Sequence, residues 1–394
     1  MMQKLKQFEF VTIIALVTSL SALAIDAMLP ALGSITEELS LVDPNRAQLV
    51  ISFIFIGMSI GQLIYGPLSD ARGRKGPLQL GLVIFICGSL ISALSKDFEV
   101  MLFGRLLQGL GAASTRVVTT AIIRDYYSGE QMAKVISLVM MIFVIVPALA
   151  PTVGQIILAH YNWRAIFYLL MSLGFIGLAW FYFRMPESLA KSKRRDFSFE
   201  NIKNASIETL SHKSAMAYTL ASGLIFGAFI GYLTSSAQIF KDVFDQEENF
   251  PILFGTLALS IGSASFANSR LVMKHGMKNL TLKALNSLSL LAISYLLIAS
   301  IFSLNSNLIL FLLYMLCSFF CIGILFGNFN ALAISPLGHI AGIATAIISS
   351  IQTFVFLILG TTIGQLYNYS VYPLVIGFLV LSLSSNIIIR KMAR

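Results

Sequence analysis

The sequence predicts an all-α membrane protein with twelve transmembrane helices in two pseudo-symmetric six-helix bundles. Three observations carry this expectation. Apolar residues make up 57% of the chain and charged residues only 11%, against about half and a quarter in soluble domains. The apolar residues form continuous runs of about 20, the length a helix needs to cross hydrocarbon, without the alternation of a membrane barrel. The longest polar stretch, 186–213, falls mid-chain with six apolar runs on either side.

In order, the runs are expected near 9–33, 47–68, 77–95, 99–122, 135–159 and 164–184, then 214–240, 250–270, 279–303, 307–332, 341–365 and 371–390. This divides the chain into an N-terminal bundle, 1–185, a linker, 186–213, and a C-terminal bundle, 214–394. Lys and Arg accumulate in cytoplasmic loops. With the N-terminus inside, inner segments collect Lys4, Lys6, Arg72, Arg74, Lys75, Arg124, Lys134, Arg184, Lys191, Lys193, Arg194, Arg195, Lys203, Lys213, Arg270, Lys274, Lys278, Lys283, Arg390, Lys391 and Arg394. Outer loops keep only Arg46, Lys96, Arg164 and Lys241. Both termini are therefore expected in the cytoplasm. The net charge of +9 follows from this topology beside anionic lipid headgroups, and nucleic-acid binding need not be invoked. Lys4 and Lys6 before an apolar run ending in Ala22-Leu23-Ala24 mimic a secretory signal, but the run continues to Ile35 and losing it would break the even helix count, so it is expected to be retained.

Ionisable groups inside a span are costly and suggest function. Away from helix ends there are three: Asp26, Arg105 and Arg116. Asp26 and Arg105 are both expected in the outer-to-middle zone and able to pair, for function or as a static ion pair. Arg105 and Arg116 are about 20° apart around one helix and about 16 Å apart along it, so that face is expected to line a cavity. Two cations against one carboxylate favour an anionic or zwitterionic substrate, unless Arg116 only caps carbonyls or pairs near the helix end. The fifth span carries Pro147 and Pro151, then Gly154, and should bend. Asn268, Asn286, Gln352 and Gln365 are polar liners or interhelical hydrogen-bonding groups. Small-residue pairs Gly57/Gly61, Gly109/Ala113 and Gly342/Ala346 predict close helix approach. Cys87, Cys317 and Cys321 read as small packing residues, so no metal site is expected. The histidines lie near helix ends or in loops, where solvated or capping roles are expected. Neither a nucleophile with a base, a metal-ligand cluster nor a phosphate loop occurs, so an enzyme is not expected.

The run Gly66-Pro67-Leu68-Ser69-Asp70-Ala71-Arg72-Gly73-Arg74-Lys75 resembles the loop between the second and third helices of the major facilitator superfamily. Arg105 to Ala113 is similar to the fourth-helix motif of its proton-coupled members, and Pro147 to Gly154 to its fifth-helix antiporter motif. With Ile25-Asp26-Ala27-Met28-Leu29-Pro30 and Gly338 to Ala346, the chain resembles the Bcr/CflA group of drug exporters throughout its length. The resemblance implies efflux across the bacterial inner membrane in exchange for protons, by alternating access. It implies a monomer with no cofactor, whose partners are a small-molecule substrate, protons and the bilayer. Asp26 and Arg105 then serve proton and substrate exchange. Asp70 and Arg74, with Gly66, Gly73 and Asp125, form a conformational gate in which Arg74 reaches Asp125. Asp70, read as preceding the third helix, suits an anion at a helix start. Ala71 and Gln155 depart from the pattern, and the equivalent loop Ser269–Gly276 is degenerate. The alternative reading is a carrier, in or out, for an anionic metabolite such as a carboxylate siderophore.

Overall fold

The computed structural model describes residues 7–194, 199–302 and 306–392. Lys4, Lys6, Arg195 and Arg394, counted above among the inner cations, lie outside the described residues. The described chain is helical and forms two compact units, one of residues 1–42 and 49–199, the other of residues 43–48 and 200–394. The division at 199/200 falls inside the segment set aside above as linker.

The first unit contains α1 (Gln7–Asp26), α2 (Leu32–Glu38), α3 (Leu49–Arg72), α4 (Lys75–Leu94), α5 (Phe98–Tyr126), α6 (Gly129–His160) and α7 (Arg164–Arg184). The first predicted span, expected as one helix over 9–33, is instead broken. The α-helix ends at Asp26, a 3₁₀ turn covers Leu29–Ala31, and α2 continues to Glu38. Pro30 supplies no N–H and restricts the residue before it. The helix α3 runs four residues beyond its predicted end at 68 and includes Asp70. Its Pro67 lies within the helix, and α6 likewise passes through Pro147 and Pro151 as one helix.

The second unit contains α8 (Phe199–Ser211), α9 (Lys213–Gln238), α10 (Phe250–His275), α11 (Met277–Ile301), α12 (Leu308–Ile334), α13 (Ala341–Gln365) and α14 (Tyr372–Met392). The linker helix α8 was not expected. It buries Ala205 and Thr209, one turn apart, and Glu208 meets the exposed His339 at Nε2, 2.7 Å. Among the described residues eleven helices are long and apolar enough to cross a membrane. The remaining predicted span, 135–159, lies in α6, where Ile145–His160 forms a shorter apolar stretch.

Packing repeats between the units. In the first, α5 packs on α3 and α4, α4 on α7, and α1 on α5, α6 and α7. In the second, α12 packs on α10 and α11, α11 on α14, and α9 on α12, α13 and α14. Helix for helix the pairs correspond, so each half of the sequence solves the same packing problem. The turns before α4 and α11 correspond as well, with Gly73 at φ 95° and Gly276 at φ 73°.

Small residues let these helices meet backbone to backbone. A methyl at Gly57 would lie 2.0 Å from the Leu106 carbonyl oxygen, at Gly61 2.5 Å from Ala113 Cβ, and at Gly109 1.9 Å from the Ile54 carbonyl oxygen. The pairs Gly57/Gly61 and Gly109/Ala113 thus form the α3–α5 seam. A methyl added at Gly342 would meet nothing within 4 Å, so the third small pair marks no close approach there.

Residues 43–48, although flanked by the first unit, are bonded within the second. Asn45 Nδ2 donates to the carbonyl oxygens of Gln365 (3.3 Å) and Tyr367 (3.0 Å), and Gln365 Nε2 donates to the Asn45 carbonyl at 2.6 Å. Gln238 Nε2 donates to Asn45 Oδ1 at 3.2 Å, while Gln48 Nε2 donates to Gln238 Oε1 at 2.5 Å. Gln365 therefore serves this amide cluster.

The glycine contrast is testable. Gly109→Ala should lower stability by about 1–3 kcal/mol through overpacking. Gly342→Ala should leave it unchanged or raise it by up to about 1 kcal/mol, because the helix gains a better former without a clash. Thermal unfolding of the two detergent-purified variants measures the difference.

Candidate functional site

The break in the first span sets the position of Asp26, the last residue of α1. Its side chain is buried, and among the described residues it has no hydrogen-bond or ion-pair partner. The backbone just beyond it touches α6. A methyl at Gly154 would lie 2.1 Å from the Ala27 carbonyl oxygen and 3.0 Å from Pro30 Cγ. Only glycine lets α6 approach this break, so the predicted Asp26 and Gly154 sit in neighbouring elements at one place. A charge on such a carboxylate is expensive in an apolar bundle.

Arg105 is not brought to Asp26, and the ion pair considered above does not form. Arg105 is fully buried between α3, α4 and α5. Its Nε donates to the Val50 carbonyl at 2.8 Å and its Nη1 to Gln108 Oε1 at 2.6 Å. Gln108 Nε2 donates in turn to Ser89 Oγ at 2.7 Å, and the guanidinium lies 5.7 Å from the Phe167 ring centre. A carbonyl, an amide and an aromatic face thus surround part of the cation within the bundle, while among the described residues its buried Nη2 has no hydrogen-bond partner. Arg116 is exposed instead, so the two arginines do not share one environment despite their angular register.

At the other end of this unit the predicted loop residues converge. The Arg74 guanidinium meets the Asp70 carboxylate through Nη1, which also donates to Ser69 Oγ at 3.0 Å, and its Nε donates to Asp125 Oδ2 at 3.1 Å. Ser69 Oγ donates back to the Gly66 carbonyl at 2.9 Å. Burial alone would make it easier for Arg74 to lose its proton, but hydrogen bonds and charge from Asp70 and Asp125 outweigh this and hold its pKa above the ordinary value. Asp70 itself lies in the last turn of α3, not ahead of α4 as the sequence suggested.

The anion at the start of α4 is Glu187, which the sequence reading missed. Glu187 Oε1 accepts the backbone N–H of Arg74 at 2.7 Å and of Leu189 at 3.0 Å, and Oε2 accepts that of Lys75 at 3.1 Å. Helix starts leave such donors unpaired, and their dipole favours a carboxylate. Burial pushes the Glu187 carboxyl up, but these three N–H donors and the charge of Arg194 pull it below its ordinary value. Gly73 is required here twice over. Its φ of 95° suits glycine, and a methyl would lie 2.5 Å from the Glu187 carboxylate. Ser188 Oγ closes the cluster on Asp125 Oδ2 at 2.7 Å. The counterpart turn at Gly276 repeats the backbone geometry, but its sequence supplies no acid between Ser269 and Gly276. Among the described residues no group of His, Cys, Asp and Glu is placed to hold a metal.

The described chain thus combines a broken first span, a buried carboxylate at the break, two units with matching helix packing and a charged turn in the first. Over residues 14–385 the chain matches the Major Facilitator Superfamily, and it belongs to that family. It is 30% identical to an uncharacterized MFS-type transporter, YdgK, of Bacillus subtilis over 90% of this chain and 87% of that one. It is 25% identical to a bicyclomycin resistance protein homolog of Haemophilus influenzae over 95% and 93% of the two chains. Among solved structures, the xylose transporter XylE of E. coli superposes with a TM-score of 0.75 at 15% identity, over 98% of both chains. That likeness concerns the fold alone. The protein is therefore a multi-pass membrane transporter of small molecules and not an enzyme.

Glu187→Gln should lower stability by about 0.5–2 kcal/mol, toward the lower figure because the carboxylate is partly solvated. Since the folded carboxyl is held below its unfolded value, its contribution is present above the ordinary carboxylate range and is lost as pH falls through the lowered value. Melting temperatures of wild type and Glu187→Gln should thus differ most near neutral pH and converge on acidification.

Proposed function

We propose that the protein exports small amphipathic molecules, drugs among them, in exchange for protons, as a transporter of the Bcr/CflA type in the bacterial inner membrane. On this reading both termini are cytoplasmic, the chain works as a monomer, and the proton gradient replaces any cofactor. The observation that carries the reading is Asp26, a buried carboxylate without a partner at a helix break. Protonation there removes a charge that the surroundings do not stabilise, so it changes the relative energy of conformations that bury or expose the group. The sequence relationship to a bicyclomycin resistance protein homolog supports the export of drugs. The turn around Arg74 supports a gating role, because contacts present in one state only would bias the equilibrium between states.

Asp26→Asn in reconstituted vesicles tests this directly. Transport driven by an imposed pH gradient should fall to background while the amount of inserted, monodisperse protein stays at the wild-type level. Wild-type rates with unchanged pH dependence would remove Asp26 from the coupling.

A second reading, a carrier for an anionic metabolite such as a carboxylate siderophore, rests on Arg116. With Arg105 packed inside the first unit, the argument from two cations falls away and Arg116 alone remains exposed. If it contacts an anionic substrate, Arg116→Ala should weaken binding by about 1.5–3 kcal/mol, or roughly ten- to hundredfold. Cationic and neutral ligands of matched size should lose little. A uniform loss across charge classes with lower thermal stability would assign Arg116 to structure.

A further inference from the structure

The chain contains two tryptophans, Trp163 immediately ahead of α7 and Trp180 near its end, in a similar chemical arrangement. At the start, Trp163 Nε1 donates to Glu38 Oε2 at 2.6 Å, and the Arg164 guanidinium binds the other oxygen of that carboxylate. Arg164 also lies 4.1 Å over the Trp163 ring and donates to the Ser95 carbonyl at 3.0 Å. At the end of α7, Trp180 Nε1 donates to Glu9 Oε1 at 3.3 Å. Arg184 forks onto the same carboxylate, Nε to Oε1 at 2.6 Å and Nη2 to Oε2 at 2.8 Å. Glu9 stands in the first turn of α1 and Glu38 is the last residue of α2. The two carboxylates thus mark the two ends of the broken first span, and an unbroken helix grips both.

A single partly exposed ion pair contributes little. Here each carboxylate is held by both a fixed indole donor and a guanidinium, a combination that sets direction as well as distance. Among the described residues of the other unit no Trp–Glu–Arg group occurs; beyond the end of α9, Tyr367 Oη donates to Asp242 Oδ2 at 3.1 Å, with no guanidinium on that carboxylate. The clasps accompany the half of the chain that carries the break and Asp26.

We propose that α7 is a splint for the broken first span. The two Trp–Glu–Arg clasps make α1, the turn at 27–31, α2 and α7 move as one body, and their six side chains are positioning residues for Asp26. The part concerning Asp26 rests on the function proposed above; the rigid coupling does not. Without the splint, the break at 27–31 would be a hinge, and motion at the span's ends would be absorbed there before reaching the carboxylate.

The test uses the full chain with Cys87, Cys317 and Cys321 replaced by Ala. Cysteine pairs are placed at Glu9 with Arg184 and at Glu38 with Arg164, and bridged by a short reducible bis-thiol cross-linker. Transport by the bridged protein should stay within about twofold of the cysteine-free parent, since bridging restores what the clasp supplied. Bridging that stops transport, with recovery on reduction, would show that the helices must move apart and would overturn the proposal. Independently of any proton coupling, a reporter at Thr120→Cys should show the same substrate-dependent change in maleimide labelling before and after bridging; a labelling rate frozen by the bridge would overturn it. The positioning role is read from pH dependence. Glu38→Gln should displace the pH of half-maximal transport by about half a unit or more, and the exchanged pair Glu38→Arg with Arg164→Glu should return it. An unshifted profile with less folded protein would assign the clasps to folding alone and overturn the positioning role. If the parent itself showed no pH-dependent transport, the proton-exchange reading would fail while the labelling arm still decided the coupling.

Discussion

Hydrocarbon offers the backbone no hydrogen-bonding partner, so a spanning chain keeps its bonds by staying helical. Every departure from continuous helix therefore costs free energy, and the departures in this molecule are few and placed. One opens the first span after Asp26, and another turns the chain at Gly73 between α3 and α4. Each is compensated locally. Gly154 lets α6 close on the backbone at Ala27, and Glu187 caps the N–H groups exposed by the turn. At the second of these, the start of α4 supplies the dipole and the unpaired N–H groups that the Glu187 carboxylate needs.

The same constraint explains how much could be read from the sequence. Continuous apolar runs and the basic linker made the spans legible, and the ten-residue run with its family resemblance made the cluster around Arg74 legible, Asp125 included although α4 and most of α5 separate it from Arg74. Glu187 was not, since it reaches α4 from more than a hundred residues downstream and an acid in a linker carries no periodic signal. Arg105 was misread for a different reason. An arginine in a span was expected to face a cavity, but Gln108, one turn further on the same helix, and the Val50 carbonyl accept from its Nη1 and Nε within the bundle. That i, i+3 spacing was visible and was the available clue. The break after Asp26 was legible only in part: Pro30 was there, but whether a proline kinks, ends or merely sits in a helix depends on its neighbours. Pro67, Pro147 and Pro151 lie within α-helices, whereas a 3₁₀ turn holds Pro30.

The two units show what repetition retains and what it drops. Helix pairing is the same in both, and so is the positive φ of the glycine before α4 and α11. The charges are not. The buried carboxylate, the Arg74 cluster and the tryptophan-bearing helix all belong to the first unit, while the second holds amide pairs such as Asn268 with Asn328, whose Nδ2 and Oδ1 atoms exchange hydrogen bonds at 3.2 and 3.0 Å. Packing thus repeats between the units, while the charged groups described above are found in one of them.

The short excursion of residues 43–48 has a consequence for how the gene can be cut. Dividing the chain at the linker looks natural, and each product would contain six spans. The first product would nevertheless carry Asn45 and Gln48 without Gln238, Gln365 and the Tyr367 carbonyl, leaving a set of amides with water as their only partners, and the second would carry the complementary gap. Halves made separately are therefore unfinished on both sides. Co-expression would reunite them through six residues that belong to one fragment by covalent bond and to the other by hydrogen bond.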